Sequence, residues 1–271
     1  MATDCSGLGV PEIAMRMVAR KQNSDIDNVF ACDIFSGSQK WLEAQGINPV
    51  MRDMNTRVWN TEKGFIMGRD LQGNAVKITQ ESAIDLYVCG FVCTPFTQNG
   101  KRKEWADEHA KTFWSAVKTI ASLRPRVAIL ENVKAISNNS NNQVVTKALS
   151  QLKGYVVCYL KLNSYEFGVP QHRPRVYMVA FRRAEMNPIF QDKAQSLLEE
   201  FLKRKINKCK LPEDTDMNFR EFLKDLKYPI MPSMQSEQSK KSIEVQESEN
   251  GGCQCHNVKA VCPHHSSLQV P

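Results

Sequence analysis

No stretch of this 271-residue chain stays apolar for the ~18–20 residues that a helical membrane span requires, so none is expected to cross a bilayer. The opening Met1-Ala2-Thr3-Asp4-Cys5 lacks the basic start and the apolar core of a signal peptide, and export is not expected either. A paired set of cysteines is also missing. There are nine, an odd number, and most sit inside apolar stretches, as Cys32, Cys89 and Cys158 do. In a chain long enough to bury its own core, that usage favours reduced thiols in an intracellular protein over a disulfide framework. No segment repeats another at a fixed period, so a repeat architecture is not expected.

What is present is ordinary for a globular chain: 42% hydrophobic and 24% charged residues. At roughly 100–200 residues per domain, the length holds one full domain with an appendage, or two small ones. The 36 basic and 29 acidic residues leave a net charge of +7. Residues 231–271 contain three Lys and four acidic residues, so the first 230 carry 33 basic against 25 acidic, or +8. That excess suits a polyanionic partner, although solvation of a large surface is its commoner reason.

Short apolar runs alternate with helical patterns. Pro11 stands where a first helical turn begins, with Ile13, Ala14, Met17 and Val18 following at helical spacing. Val29–Cys32 reads as a buried strand, followed by a helix capped near Ser36 that holds Trp41 and Leu42. Leu86–Cys89 is the next strand, and Phe113, Val117, Ile120 and Ala121 mark a helix that stops before Pro125. Val127–Leu130 is a continuous apolar run, as for a strand covered on both faces. A helical stripe through Val144, Val145, Ala148, Leu149 and Leu152 closes at Gly154, and strands follow near 155–162 and 175–181. Residues 54–80 have no strong periodicity and read as a loop or excursion. The alternation predicts an α/β fold whose ligands sit at the carboxyl ends of parallel strands. Beyond Phe181 a basic helix carries Ala194, Leu197, Leu198, Phe201 and Leu202 on one face, expected to pack on the sheet. A turn at Pro212 and a short helix follow. From Pro229 the chain turns to Ser, Gln, Glu and Lys, too polar to order itself by burial.

Four segments can carry chemistry. Cys5-Ser6-Gly7-Leu8-Gly9 lies just before the first helix, where glycines let the backbone approach a ligand at a helix N-terminus, or simply turn. Asp33, at the end of the second strand, suits hydrogen bonds from ribose hydroxyls and equally suits a helix cap. Gly90 to Lys103 places Cys93 just past a strand end, with Pro95 and Gly100 shaping the loop and Lys101, Arg102 and Lys103 supplying positive charge. A thiol so placed is a candidate nucleophile. Cys5, Cys32, Cys89, Cys158 and Cys209 read as structural. Glu131-Asn132-Val133 follows the neighbouring strand, so Glu131 and Cys93 can face one site, a pairing suited to protonating a ring while a thiolate attacks it. A helix cap is the plainer role for Glu131. Gln171-His172-Arg173-Pro174-Arg175 sets two arginines at alternate strand positions, where they point one way.

Taken in order, these segments resemble the motifs of the cytosine-5 DNA methyltransferases, which use S-adenosyl-L-methionine. Cys5–Gly9, continued by Val10-Pro11-Glu12, is similar to the first cofactor motif. Asp33 with Ile34 falls where the family holds the ribose, and Asp53 with Met54 where it holds the adenine. Val92–Thr97 resembles the nucleophile loop, Glu131–Val133 the base-protonating motif, and Leu162–Arg175 the approach to and body of the paired-arginine motif. Val92 stands where the family usually has proline, and Cys5 where it usually has phenylalanine. The likeness spans residues 3–182.

The resemblance implies a Rossmann-like methyltransferase sheet, mostly parallel with a terminal antiparallel pair and helices on both faces. It assigns catalysis to Cys93, Glu131, Arg173 and Arg175, and cofactor binding to Cys5, Ser6, Gly7, Leu8, Gly9, Asp33, Ile34, Asp53 and Met54. Substrate binding falls to Pro95, Asn132, Gln171, Lys101 and Arg102. The implied partner is DNA. Thr97 after Phe96 also occurs among tRNA-modifying members, so RNA stands as an alternative, as does a binding remnant without turnover. The late recognition and cofactor-closing motifs are not found after Arg182, and a second polypeptide is one way to supply them. The expected organisation is 1–182 catalytic, 183–228 a basic helical extension serving as a reduced recognition region, and 229–271 a tail. Residence is expected inside the cell, in the nucleus of a eukaryote. Cys253, Cys255, His256, Cys262, His264 and His265 have the density of a zinc site without a recognised spacing, and no metal is assigned.

Overall fold

The computed structural model describes residues 1–92, 111–137, 139–169, 171–185 and 193–210. The expectations for Cys93, Pro95, Lys101 and Arg102, for the turn at Pro212 and the helix after it, and for the tail with its Cys/His cluster lie outside the described residues. In chain order the strands are β1 (Ala2–Asp4), β2 (Ala31–Cys32), β3 (Val50–Met51), β4 (Val58–Asn60), β5 (Phe65–Arg69), β6 (Ala75–Thr79), β7 (Leu86–Cys89), β8 (Val127–Val133), β9 (Tyr155–Asn163) and β10 (Pro174–Arg182). The helices are α1 (Val10–Lys21), α2 (Ser36–Ala44), α3 (Lys111–Leu123), α4 (Asn139–Ser150) and α5 (Ala194–Asn207). Among the described residues, no helix is long and apolar enough to cross a membrane.

The main sheet has the order β1-β7-β8-β10-β9. β1, β7 and β8 are parallel, and β10 runs antiparallel to both β8 and β9. The expected antiparallel element is therefore one strand inserted between two others. β2 and β3 pair in parallel, and a parallel bridge from Ala2 to Phe30 continues the order past β1. From β1 the chain goes first to β2 and β3 on one side, then to β7 and β8 on the other. Strand order reverses there, and such a reversal opens a crevice at the carboxyl ends of the strands. Phe30, Tyr87, Cys89, Phe113, Ile120 and Leu130 fill the core beneath it.

One buried ion pair ties this edge together. Both terminal guanidinium nitrogens of Arg57 donate to the carboxylate of Asp4 at the end of β1, one of them at 2.7 Å, and both side chains are fully buried. The Tyr87 hydroxyl on β7 donates to the same carboxylate at 2.7 Å, and the guanidinium stacks 4.9 Å from the Phe30 ring centre. Arg57 is held in its charged form by Asp4 against the cost of burial.

Two local readings, for residues 54–80 and for α5, differ from the structure, and α1 buries a side that its apolar spacing does not mark. Residues 54–80 are an ordered excursion: a 3-10 turn (Met54–Thr56), then the antiparallel meander β4-β5-β6, which packs on α3 through Trp59 Nε1–H donating to Thr119 Oγ1. Its strands have three to five residues, too few repeats for a period-two pattern to declare itself. In α1 the apolar stripe faces outward, with Met17 and Val18 53% and 45% exposed, while Glu12 and Ala19 are buried. The helix is turned by a polar anchor, since the Thr3 hydroxyl donates to the Glu12 carboxylate. In α5 only Ala194 and Leu198 bury against Val156 and Cys158, with Leu202 at the edge; Leu197 and Phe201 stay 39% and 43% exposed.

Removing one member of the Asp4–Arg57 pair strands a buried charge. Arg57→Met is expected to lose about 3–5 kcal/mol of stability in urea unfolding. Arg57→Met with Asp4→Asn should recover much of that loss, because no unpaired ion remains.

Candidate active site

Two neighbouring pockets open at the carboxyl ends of the strands. The first is a cleft of about 520 Å³ lined by Cys5, Cys32, Asp33, Ile34, Phe35, Asp53, Met54, Asn55, Val92 and Thr112. Five of the nine residues expected to bind cofactor face it: Cys5, Asp33, Ile34, Asp53 and Met54. The other four, Ser6, Gly7, Leu8 and Gly9, are not among its lining residues and form the loop that follows Cys5. Ser6 is buried, with its hydroxyl tied to the backbone of Cys32. Gly7 has φ +55°, and a Cβ there would meet nothing within 4 Å, so its backbone faces open space. Leu8 is exposed, and its carbonyl accepts from Trp41 Nε1 at 2.9 Å. Gly9 immediately precedes α1.

The two carboxylates are fixed before any ligand arrives. Asp33 accepts from the backbone N–H of Gly7 at 2.7 Å and of Phe35 at 2.9 Å, so it joins the glycine loop to α2. Each of its oxygens keeps a further lone pair for a ligand hydroxyl. Asp53 caps the 3-10 turn by accepting from Asn55 N at 2.8 Å, and the Ser115 hydroxyl on α3 donates to Asn55 Oδ1 at 2.9 Å. Ile34 and Phe35 are 68% and 73% exposed, an apolar pair at the mouth of the cleft. An apolar slot with two oriented carboxylates and an open glycine backbone fits a nucleoside bearing a short polar chain. Sequence reasoning had not singled out Phe35, Asn55 or Thr112. A Phe two residues after the strand-end Asp was the one signal available.

The second pocket, of about 250 Å³, is lined by Glu131, Leu162, Ser164, Phe167, Arg173, Arg175 and Tyr177. It brings Glu131 together with Arg173 and Arg175, which lie 42 and 44 positions further along the chain. Register explains how: Glu131 lies directly across from Tyr177, and Val133 across from Arg175. Glu131 and Asn132 are part of β8 itself, because pairing with β10 carries that strand past its apolar run. Arg175 Nε is 2.8 Å from Glu131 Oε1. Burial raises the Glu131 carboxyl above its ordinary value, and the charges of Arg175 and Arg173 only partly offset it. Gln171 is exposed, and its carbonyl accepts from the Ser164 hydroxyl at 2.6 Å.

The approach to Cys93 is held against this pocket. A Cβ at Gly90 would lie 3.3 Å from Glu131 Oε2, so only glycine passes there without displacing the carboxylate. Asn132 is buried and its amide donates to the Phe91 carbonyl at 2.8 Å, while Val92 N–H donates to the Thr112 hydroxyl at 3.2 Å. Asn132 thus braces the strand that leads to Cys93. Among the described residues no cluster of three or more metal-ligating side chains occurs.

Comparison with known proteins gives three findings. The family model for C-5 cytosine-specific DNA methylases matches residues 34–261. Type II methyltransferase M.BanI of Aneurinibacillus aneurinilyticus is 34% identical over 110 residues, 40% of this chain and 26% of that protein. M.Bsp6I of Bacillus sp. (strain RFL6) is 36% identical over 115 residues, 41% of this chain and 36% of that one. The chain's matched part therefore spans about a third or less of these relatives. Among solved structures, the Dnmt2 methyltransferase of S. pombe aligns with TM-score 0.48 at 20% identity, covering 67% of this chain and 50% of that one.

The electrostatics of Glu131 can be read directly. Its folded-state carboxyl lies above the unfolded value, so its contribution to stability is fully present below the ordinary carboxyl range and is lost as pH rises through the folded value. Glu131→Gln removes that loss. The stability of Glu131→Gln relative to the parent should therefore grow from about pH 4 to about pH 7 in urea unfolding. Arg175→Gln should move the Glu131 titration, followed by carboxyl NMR, further up.

Proposed function

Because the chain belongs to the C-5 cytosine-specific DNA methylase family, we propose that it transfers a methyl group to carbon 5 of cytosine in DNA, using S-adenosyl-L-methionine. The observation that carries this reading is the gathering of Glu131, Arg173 and Arg175 in one pocket beside the braced approach to Cys93. The neighbouring cleft, with Asp33 and Asp53 at its rim, supplies the place for the cofactor. Asp33 would hold ribose hydroxyls and Asp53 the adenine, over a floor made by Cys5 and Met54. The bound cofactor supplies an electrophilic methyl group on a sulfonium.

Carbon 5 of cytosine is too weak a nucleophile to take that methyl unaided. The Cys93 thiolate would form a bond to carbon 6, and Glu131 would place a proton on ring nitrogen 3 as electron density shifts towards carbon 5. A carboxyl raised by burial holds its proton closer to neutral pH, which suits this step. Arg175, paired with Glu131 in the free protein, would stabilise the carboxylate left behind, and Arg173 would steady the nucleotide. Methyl transfer would leave a neutral thioether, and the proton on ring nitrogen 3 would return to the Glu131 carboxylate. A base such as solvent would take the carbon-5 proton as the carbon 6–sulfur bond breaks and releases the Cys93 thiolate. The reacting face is hidden in a duplex, so the base must be turned out into the pocket. Lys101 and Arg102 would contact phosphates, and Pro95 and Gln171 would border the base.

The proposed division of labour is 1–182 for catalysis, 183–228 for nucleic-acid contact and 229–271 as a separable tail. A second polypeptide carrying further recognition elements is compatible with it.

Three measurements test this reading. With substrate containing 5-fluorocytosine and the methyl donor, the parent should form a covalent complex stable in denaturant, and Cys93→Ser none. DNA and RNA of one sequence should be offered in parallel; label transferred to RNA alone would move the assignment to RNA. Ending the chain after Lys227 should leave the melting temperature nearly unchanged, whereas ending it after Arg183, which removes α5, should lower it.

A further inference from the structure

The positive charge of the chain has a local concentration that the two pockets do not use. From Lys203 to Lys210 the sequence is Lys-Arg-Lys-Ile-Asn-Lys-Cys-Lys, five cations in eight residues with no acid among them. Lys203, Arg204, Lys205 and Lys208 are exposed, and none of these four is in an ion pair among the described residues. Lys205 rests over the Phe201 ring at 5.5 Å.

The position of this cluster follows from the packing. Alternate residues of β9 and β10 share a face. Val156 and Cys158 of β9, with Phe181 of β10, lie under the first half of α5. Further along the same face, Leu162, Arg175 and Tyr177 line the Glu131 pocket. α5 therefore begins over the start of β9 and runs alongside it towards the pocket. The segment just past its end meets the pocket wall, where Lys210 Nζ lies 2.7 Å from Glu166 Oε2. Glu166 belongs to the 3-10 turn Ser164–Phe167, whose Ser164 and Phe167 are pocket walls. Beside that turn stand exposed His172 and Arg173, and Tyr165 at 48% exposure.

We infer that the basic end of α5, with Tyr165, His172 and Arg173, forms a phosphate-binding rim for the nucleic-acid strand whose base enters the Glu131 pocket. The inference rests on the proposed function for the identity of that base, and on geometry for the rim. Unpaired lysines and an arginine beside an exposed aromatic ring form a surface that follows a backbone without reading sequence. An acidic protein surface would use the cations and leave the adjoining pocket and ring without a role. The Lys210–Glu166 pair would link helix and pocket wall, so that strand binding on α5 is felt at the wall of the base pocket.

The test is binding of the full chain to a fluorescein-labelled duplex of about 20 base pairs, titrated at several salt concentrations. Lys203→Gln/Arg204→Gln/Lys208→Gln should weaken binding about tenfold and lower the slope of log Kd against log salt by about 3. Arg20→Gln/Lys21→Gln on α1 removes two cations elsewhere and should change the slope by less than one unit. Glu166→Gln should keep the slope while altering the fluorescence of 2-aminopurine placed at the target base. An unchanged slope in the triple variant, an equal effect per charge from the α1 variant, or no binding by the parent would each overturn the rim. Displacement of the duplex by polyglutamate of equal charge would assign the surface to acidic polymers and overturn the nucleic-acid partner. A parent that binds with the expected slope and transfers no methyl would sink the catalytic reading alone.

Discussion

The fully buried pair of Asp4 and Arg57 is the constraint on which both pockets depend. Asp4 is the last residue of β1, one position before the Cys5–Gly9 loop, and Arg57 follows directly on the turn that carries Asp53 and Met54. Tyr87 joins the same carboxylate from β7, three residues before Gly90. One carboxylate thus fixes the glycine loop, the Asp53 turn and the strand leading to Cys93. A buried ion pair is a costly way to hold a sheet edge, and an apolar substitute of similar volume is often as stable. What the pair adds is registration: a bidentate guanidinium accepts one orientation, whereas apolar side chains accept several.

The pockets divide their chemistry by polarity. The cleft beside β2 and β3 is mainly apolar, and its two carboxylates are tied down by backbone donors, so little reorganisation accompanies ligand entry. The pocket beside β8 and β10 holds one carboxyl group and two guanidinium cations, and burial raises Glu131 more than their positive charge lowers it. The Asp33 carboxylate accepts two backbone hydrogen bonds, and the Glu131 carboxylate meets Arg175 in an ion pair.

Sequence patterning located most strands and helices because their apolar runs are long enough to show a period. It missed the β4–β6 meander, whose strands are short. The apolar spacing in α1 marks the helix but not its buried side, which holds the hydrogen-bonded Glu12 and Ala19. Phe35, Asn55 and Thr112 escaped notice since each acts through its position on an element rather than through a motif.

The sequence by itself determined the alternation of strand and helix, the chemical identities of Cys93, Glu131, Arg173 and Arg175, and the family to which their order points. These are local properties, written in periodicity and in short motifs. Only the tertiary structure decided that β10 enters between β8 and β9, which sets Glu131 across from Tyr177 and within reach of Arg175. It alone decided that Asn132 turns inward to brace Phe91, and that the segment just after α5 reaches the wall of the Glu131 pocket through Lys210 and Glu166. Strand order and register arise from packing between residues far apart in the chain, and no local pattern encodes them.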